Sequence, residues 1–129
     1  MRKLILIMLL FSVSGYVLAA WEKSDVDSNG DTVYFSPASI RRSGNTVKVL
    51  VLVDTNKAGT IENSAYRSMK AEIELECPRR LMRVFFLSMY SGKMGDGSII
   101  KFGKIDNAWQ LIEDGSPSVA LSELACKKH

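Results

Sequence analysis

Apolar and polar residues alternate most strictly between Lys70 and Cys77. Ala71, Ile73, Leu75 and Cys77 fall on one side and Lys70, Glu72, Glu74 and Glu76 on the other, the period of an antiparallel strand with one wet face. Pro78, which has no N–H to give to a ladder, ends it. Thr46–Val53 is a second strand, with Val47, Val49, Val51 and Val53 on one face and Lys48, Leu50 and Leu52 on the other. Leu81–Tyr90 is a third. If an even number of residues connects it to the strand before, Glu74 lies opposite Arg83, and Met82, Val84 and Phe86 join Ile73 and Leu75 on the core side. An odd number inverts that set.

Shorter elements flank these three. Trp21–Val26 and Thr32–Phe35 read as strands around the turn Asp27-Ser28-Asn29-Gly30, and Ile99–Gly103 as another. Asp54–Asn63 reads as a polar loop, Ser91–Ser98 as a glycine-rich connection, and Asp106-Asn107 as a turn ahead of Trp109–Ile112. Ser116-Pro117 has the form of a helix N-cap followed by proline at the first helical position. Val119, Ala120, Leu121, Leu124 and Ala125 then recur at helical spacing, with Ser122, Glu123, Lys127 and Lys128 outward. The fold class these elements predict is α+β: a single antiparallel β-sheet of about six strands with a C-terminal α-helix packed on one face.

The start of the chain follows a different pattern. Met1-Arg2-Lys3 precedes an apolar run from Leu4 to Val13, and small residues surround Ala19 and Ala20. Residues 1–19 therefore read as a secretory signal cleaved after Ala19 or Ala20, leaving one domain over residues 20–129. An uncleaved anchor would need nearer 20 apolar residues, and Ser12, Ser14 and Gly15 interrupt the stretch. No later segment is apolar enough to span a bilayer. Export places the domain in the periplasm, on the outer-membrane surface or in the medium.

Export also changes the charge. Without Arg2 and Lys3, 15 of the 17 basic residues remain against 14 acidic ones, so the net charge falls from +3 to +1. That balance gives no bulk electrostatic case for nucleic acid or anionic membranes. In an oxidising compartment Cys77 and Cys126 most simply form a disulfide, tying the helix to the buried face of the strand that ends at Cys77. A free thiol or an intermolecular bridge is the alternative. Closing a loop of about 50 residues is worth roughly 4 kcal/mol in the chain-entropy model, against a total of about 5–15 kcal/mol for an ordinary domain.

Few residues suggest chemistry. Asp25, Asp27, Asn29, Gly30 and Asp31 match the first positions of a calcium loop, but its twelfth position is Ser36 rather than a bidentate carboxylate. A hairpin turn rich in Asx and glycine explains the same residues, so neither metal nor cofactor is expected. Glu72, Glu74 and Glu76 sit two apart on one strand face, a spacing of roughly 6.5–7 Å that falls in the range of paired glycosidase carboxylates. That mechanism needs a cleft, and on a flat, open surface the three are a solvated face balanced by Lys48, Lys70 and Arg83. Lys93 does not follow the last glycine of its loop as a phosphate cradle requires. His129, the sole histidine, is the last residue and can orient no nucleophile. Arg41-Arg42 and Arg79-Arg80 read as solvated pairs at turns. Trp21, Tyr34, Phe35, Tyr66, Tyr90 and Trp109 are core or interface aromatics, and Phe35 or Tyr90 exposed on a strand would mark a protein-binding face or a dimer.

An ordered set of residues resembles the Surface-adhesin protein E family of exported bacterial proteins. It comprises Trp21, Tyr34, Ser39 to Gly44, Ser68 with Lys70, Cys77, the Tyr90-Ser91-Gly92 stretch with Met94 and Gly97, Trp109, Gly115-Ser116 and Cys126. The resemblance implies a small antiparallel sheet with a C-terminal helix, the two cysteines bridged, and an outer-membrane role binding host matrix proteins such as vitronectin and laminin. The chain departs from a lipid-anchored pattern in having no cysteine at the cleavage site. The matching positions carry fold, and no binding residue is transferred. The expectation is an exported, non-enzymatic, adhesin-like binding module for a host matrix protein or another protein. Its alternative is a periplasmic accessory protein that binds an envelope component, and a homodimer fits either. A hydrolase acting through Glu72, Glu74 or Glu76 is the third reading.

Overall fold

The computed structural model describes residues 21–105 and 108–127. The predicted signal, the turn Asp106-Asn107, Lys128 and His129 lie outside them. Within the described residues the chain runs through β1 (Glu22–Val26), β2 (Thr32–Phe35), β3 (Arg41–Ser43), β4 (Thr46–Ile61), β5 (Ser64–Glu76), β6 (Leu81–Tyr90), β7 (Ile99–Lys104), β8 (Gln110–Leu111) and α1 (Pro117–Ala125).

All strand pairs are antiparallel, in the order β1-β2-β4-β5-β6-β7, with β3 on β4 and β8 on β6. The sheet has eight strands among the described residues, where about six were expected. The difference comes from length. β4 pairs β2 through Val51–Asp54 and β3 through Thr46–Lys48 on one edge, and β6 likewise carries both β7 and β8. Between β2 and β3 a 3-10 turn at Pro37–Ser39 fills the gap, where the Ser39 hydroxyl accepts the Leu50 N–H at 2.8 Å and donates to the Ser36 carbonyl at 2.7 Å.

The predicted alternation holds through the centre of the sheet. Val47, Val49, Val51, Ile73 and Leu75 are buried on the inner face with Val33 and Phe35, and Leu121, Ala125 and Ile112 close over them. Cys77 and Cys126 are joined, with Cα atoms 5.9 Å apart, so the helix is tethered at the end of the central strand. Arg42 reinforces that end, donating through Nη2 to the carbonyls of Cys126 at 3.0 Å and Lys127 at 3.1 Å, where a helix leaves its last acceptors unpaired.

Three expectations are corrected. Asp54–Asn63 is not a loop: it forms the outer half of β4 and the two-residue turn Glu62-Asn63, and β5 begins at Ser64. Both turn residues have positive φ, 49° and 66°, which suits the right-handed twist of a hairpin. The segment is polar because most of this arm stands in solvent, and Tyr66 lies across Gly59 where a side chain would otherwise sit. Phe86 is not on the core side, since Glu74 pairs with Arg83 and Ile73 with Val84, but Glu72 pairs with Phe86. Phe85 is therefore an extra residue, a β-bulge, which shifts the rest of β6 by one and brings Leu87 and Met89 inward instead. Finally, Ser116 precedes α1 with proline after it, but its hydroxyl donates back to the Glu113 carbonyl at 2.7 Å and caps no helix N–H.

Reducing the Cys77–Cys126 bond, or replacing both cysteines with alanine, is expected to lower the unfolding free energy by about 4 kcal/mol. A denaturant midpoint that stays put would show that α1 docks without the bond.

Candidate binding face

The outer face of the sheet carries the polar side chains of the central strands, and the structure distributes the predicted site residues unevenly across it. Asp25 is the fourth residue of β1, and Asp27, Asn29 and Asp31 form the turn to β2. There Asp27 Oδ1 accepts the N–H groups of Asn29 at 2.8 Å and Asp31 at 3.0 Å, while Asp31 Oδ1 accepts that of Asn56 at 2.8 Å. The carboxylates are spent on backbone donors, as in an Asx turn. Among the described residues no three His, Cys, Asp or Glu side chains converge for a metal ion.

The three glutamates diverge in environment. Glu74 takes two hydrogen bonds from Arg83, 3.0 Å from Nε and 2.8 Å from Nη2, and Glu76 pairs with Arg79 at 2.9 Å. Glu72 is exposed and has no ion-pair partner among the described residues. The arginine pairs are also occupied within the chain. Arg41 donates to the carbonyls of Ala38 and Ile40, and Arg80 to Asp114 at 3.0 Å.

Aromatic side chains meet cations along this face. The Arg83 guanidinium lies 4.4 Å from the centre of the Trp109 ring, and Lys48 Nζ 5.2 Å from that of Phe85. Lys70 Nζ sits between Tyr90, at 5.1 Å, and Trp21, at 6.0 Å. Contacts of this kind add about 0.5–1 kcal/mol at exposed sites, and they also fix where the charge stands. Of the aromatics singled out from sequence, Phe35 is core and Tyr90 is half-buried beside Lys70, so neither is the expected exposed marker. Exposed apolar surface comes instead from Phe102, 68 % exposed on the edge strand β7, with Ile99 and Leu111.

The glycine-rich connection folds back over one end of this face. Ser68 is fully buried, its hydroxyl donating to the Gly92 carbonyl at 2.6 Å and accepting the Gly95 N–H at 2.8 Å. Asp54 accepts the Met94 N–H at 2.9 Å and lies 3.7 Å from Lys93. Beneath this strap Leu52, on the polar side of β4, is fully buried. Glycine suits position 95, since its φ is +76°, a conformation that side-chain-bearing residues adopt only with strain.

Away from the strap the face is open. One depression of about 570 Å³ is lined by Glu72, Phe85, Phe86, Lys104 and Ile105. Beside it a second, of about 290 Å³, shares Glu72 and Phe85 and adds Ser39, Arg41, Lys48 and Leu50. Sequence reasoning places Phe86 in the core and does not single out Phe85 or Lys104. The available signal was a phase break in β6, where apolar positions change from even at Met82 and Val84 to odd at Leu87 and Met89.

A sequence model described as Surface-adhesin protein E matches residues 21–127. Among solved structures, Haemophilus influenzae protein E is similar at 15 % identity, with a TM-score of 0.63 over 90 % of each chain. A second crystal form of that protein gives 14 % identity and a TM-score of 0.64, covering 90 % of this chain and 94 % of the other. At such identity the likeness concerns the fold. No curated protein sequence matches significantly.

Removing the Ser68 hydroxyl should loosen the strap. Ser68→Ala orphans the Gly95 N–H and the Gly92 carbonyl, with an expected stability loss of about 1–3 kcal/mol and faster amide exchange at Gly95. Unchanged exchange there would show that Asp54 alone holds the segment.

Proposed function

The chain belongs to the Surface-adhesin protein E family, and from that premise we propose an exported, non-enzymatic, adhesin-like module whose ligand is a protein, a host matrix protein in first place. The observation that carries this reading is the outer face, where aromatic rings are held beside cations on a sheet whose other side already holds the core. Aromatic and arginine side chains dominate binding energy at protein interfaces, and those already ordered lose less freedom on contact. Glu74 and Glu76 are engaged by arginines, and Glu72 stands exposed with no second carboxylate beside it among the described residues that line its depression, an arrangement that supports a charged binding face over a hydrolytic pair. The turn at Asp25–Asp31 acts as structure, and the module works without a cofactor.

Export in this reading follows cleavage after Ala19 or Ala20. No helix among the described residues is long and apolar enough to cross a membrane. The second reading, a periplasmic accessory protein binding an envelope component, is favoured by the Ala19-Ala20-Trp21 junction, where a lipid-anchored protein carries cysteine. The exposed apolar residues of β7 suit either partner, or a second copy of the chain.

The test is surface plasmon resonance with residues 20–129 immobilised and vitronectin and laminin as analytes, alongside crosslinking in the native cell. Retention at micromolar concentration with host-derived crosslinks is the expected outcome. Envelope crosslinks without retention would move the function to the accessory reading, and neither result would overturn both.

A further inference from the structure

We propose that the groove around the β6 bulge is where the protein partner docks, and that it takes an extended segment that presents carboxylates and apolar side chains on one face, at every second residue. The proposal deepens the binding-module reading and rests on it.

The bulge is the first reason. A regular strand would send Phe85 and Phe86 to opposite faces, and the extra residue turns both outward. Folding gains little from this, because the rings stay partly exposed and the ladder is interrupted. Bulges that re-aim side chains collect at functional sites.

Charge is the second. Among the described residues Arg41 on β3, Lys48 on β4 and Lys104 on β7 line the two depressions without an ion pair, and Glu72 is the one carboxylate in that lining. The neighbouring glutamates are already neutralised by arginines. An acidic ligand therefore meets an excess of positive charge. The floor of Leu50, Phe85, Phe86 and Ile105 accepts apolar side chains, and Glu72 in the centre suits a backbone N–H. A densely sulfated glycan would meet the same cations but leave the rings unused.

Size is the third. From β3 to β7 the groove crosses four strand spacings, about 19 Å, which an extended peptide spans in about six residues. Lys48 stays over Phe85, so part of the ordering precedes binding.

The experiment uses the folded domain, ¹⁵N-labelled, titrated with the peptide Glu-Ser-Phe-Ser-Glu-Ser-Leu, its analogue with lysine for each glutamate, and a heparin octasaccharide. Shift changes from the acidic peptide should centre on Glu72, Phe85, Phe86 and Lys104 and weaken with salt. The double variant Lys48→Glu/Lys104→Glu should bind it about tenfold less tightly while keeping a native spectrum, and Phe85→Ala should do the same. Arg41→Gln is the milder substitute if the double variant fails to fold. Equal response to the lysine analogue, tighter binding of the octasaccharide, or indifference to all substitutions would overturn the proposal. Matrix proteins still retained by the double variant at native strength would overturn it too, and leave the adhesin-like reading standing. A native chain that retains none of them would remove that reading instead.

Discussion

The side chains of the central strands take their faces from the register of β4 against β5. The ladder from Thr46↔Glu76 to Asp54↔Ser68 is unbroken, so nine consecutive pairs assign inner and outer positions together. Slipping β4 by one residue would turn four valines to solvent and carry Lys48 inward, and slipping β5 instead would carry Lys70 and three glutamates beneath the helix, at the cost of buried charge in either case. The disulfide acts on this base. It joins the residue after β5 to the end of α1, and a nine-residue helix then suffices to close the inner face.

Because the core uses only one face, the other is released from packing and can be specified for contact. It is used in two ways. Where Ser68, Asp54 and Leu52 lie, the chain itself returns as a strap and buries them. Where Phe85, Phe86 and Glu72 lie, the face stays uncovered by any described residue of the strap, and a bulge has enlarged its apolar content. The same register thus yields a closed region and an open one within a few residues of each other.

Much of this was legible in the sequence where one face is dry. The alternation in Thr46–Val53 and Lys70–Cys77, the pairing of Glu74 with Arg83 and the helix carrying Cys126 all follow from the contrast between core and solvent. The rest was hidden where that contrast vanishes. The arm from Asp54 to Ser68 has both faces wet over most of its length, so a strand there has the composition of a loop. Its turn, Glu62-Asn63, lacks the glycine that marks most two-residue hairpins. Ser68 reads as one more polar residue, because its burial comes from a segment 24 residues further on.

The groove belongs to neither group. Its signal was present, in the switch of apolar phase at Phe85, but strict alternation treats such a break as noise. Physically the inserted residue weakens the ladder and exposes a ring without improving the core. A strand selected for stability alone would have kept Phe86 inward beside Val84. β6 instead changes phase beside Lys48, Arg41 and Lys104, which form no ion pair among the described residues, and leaves both rings on the outer face.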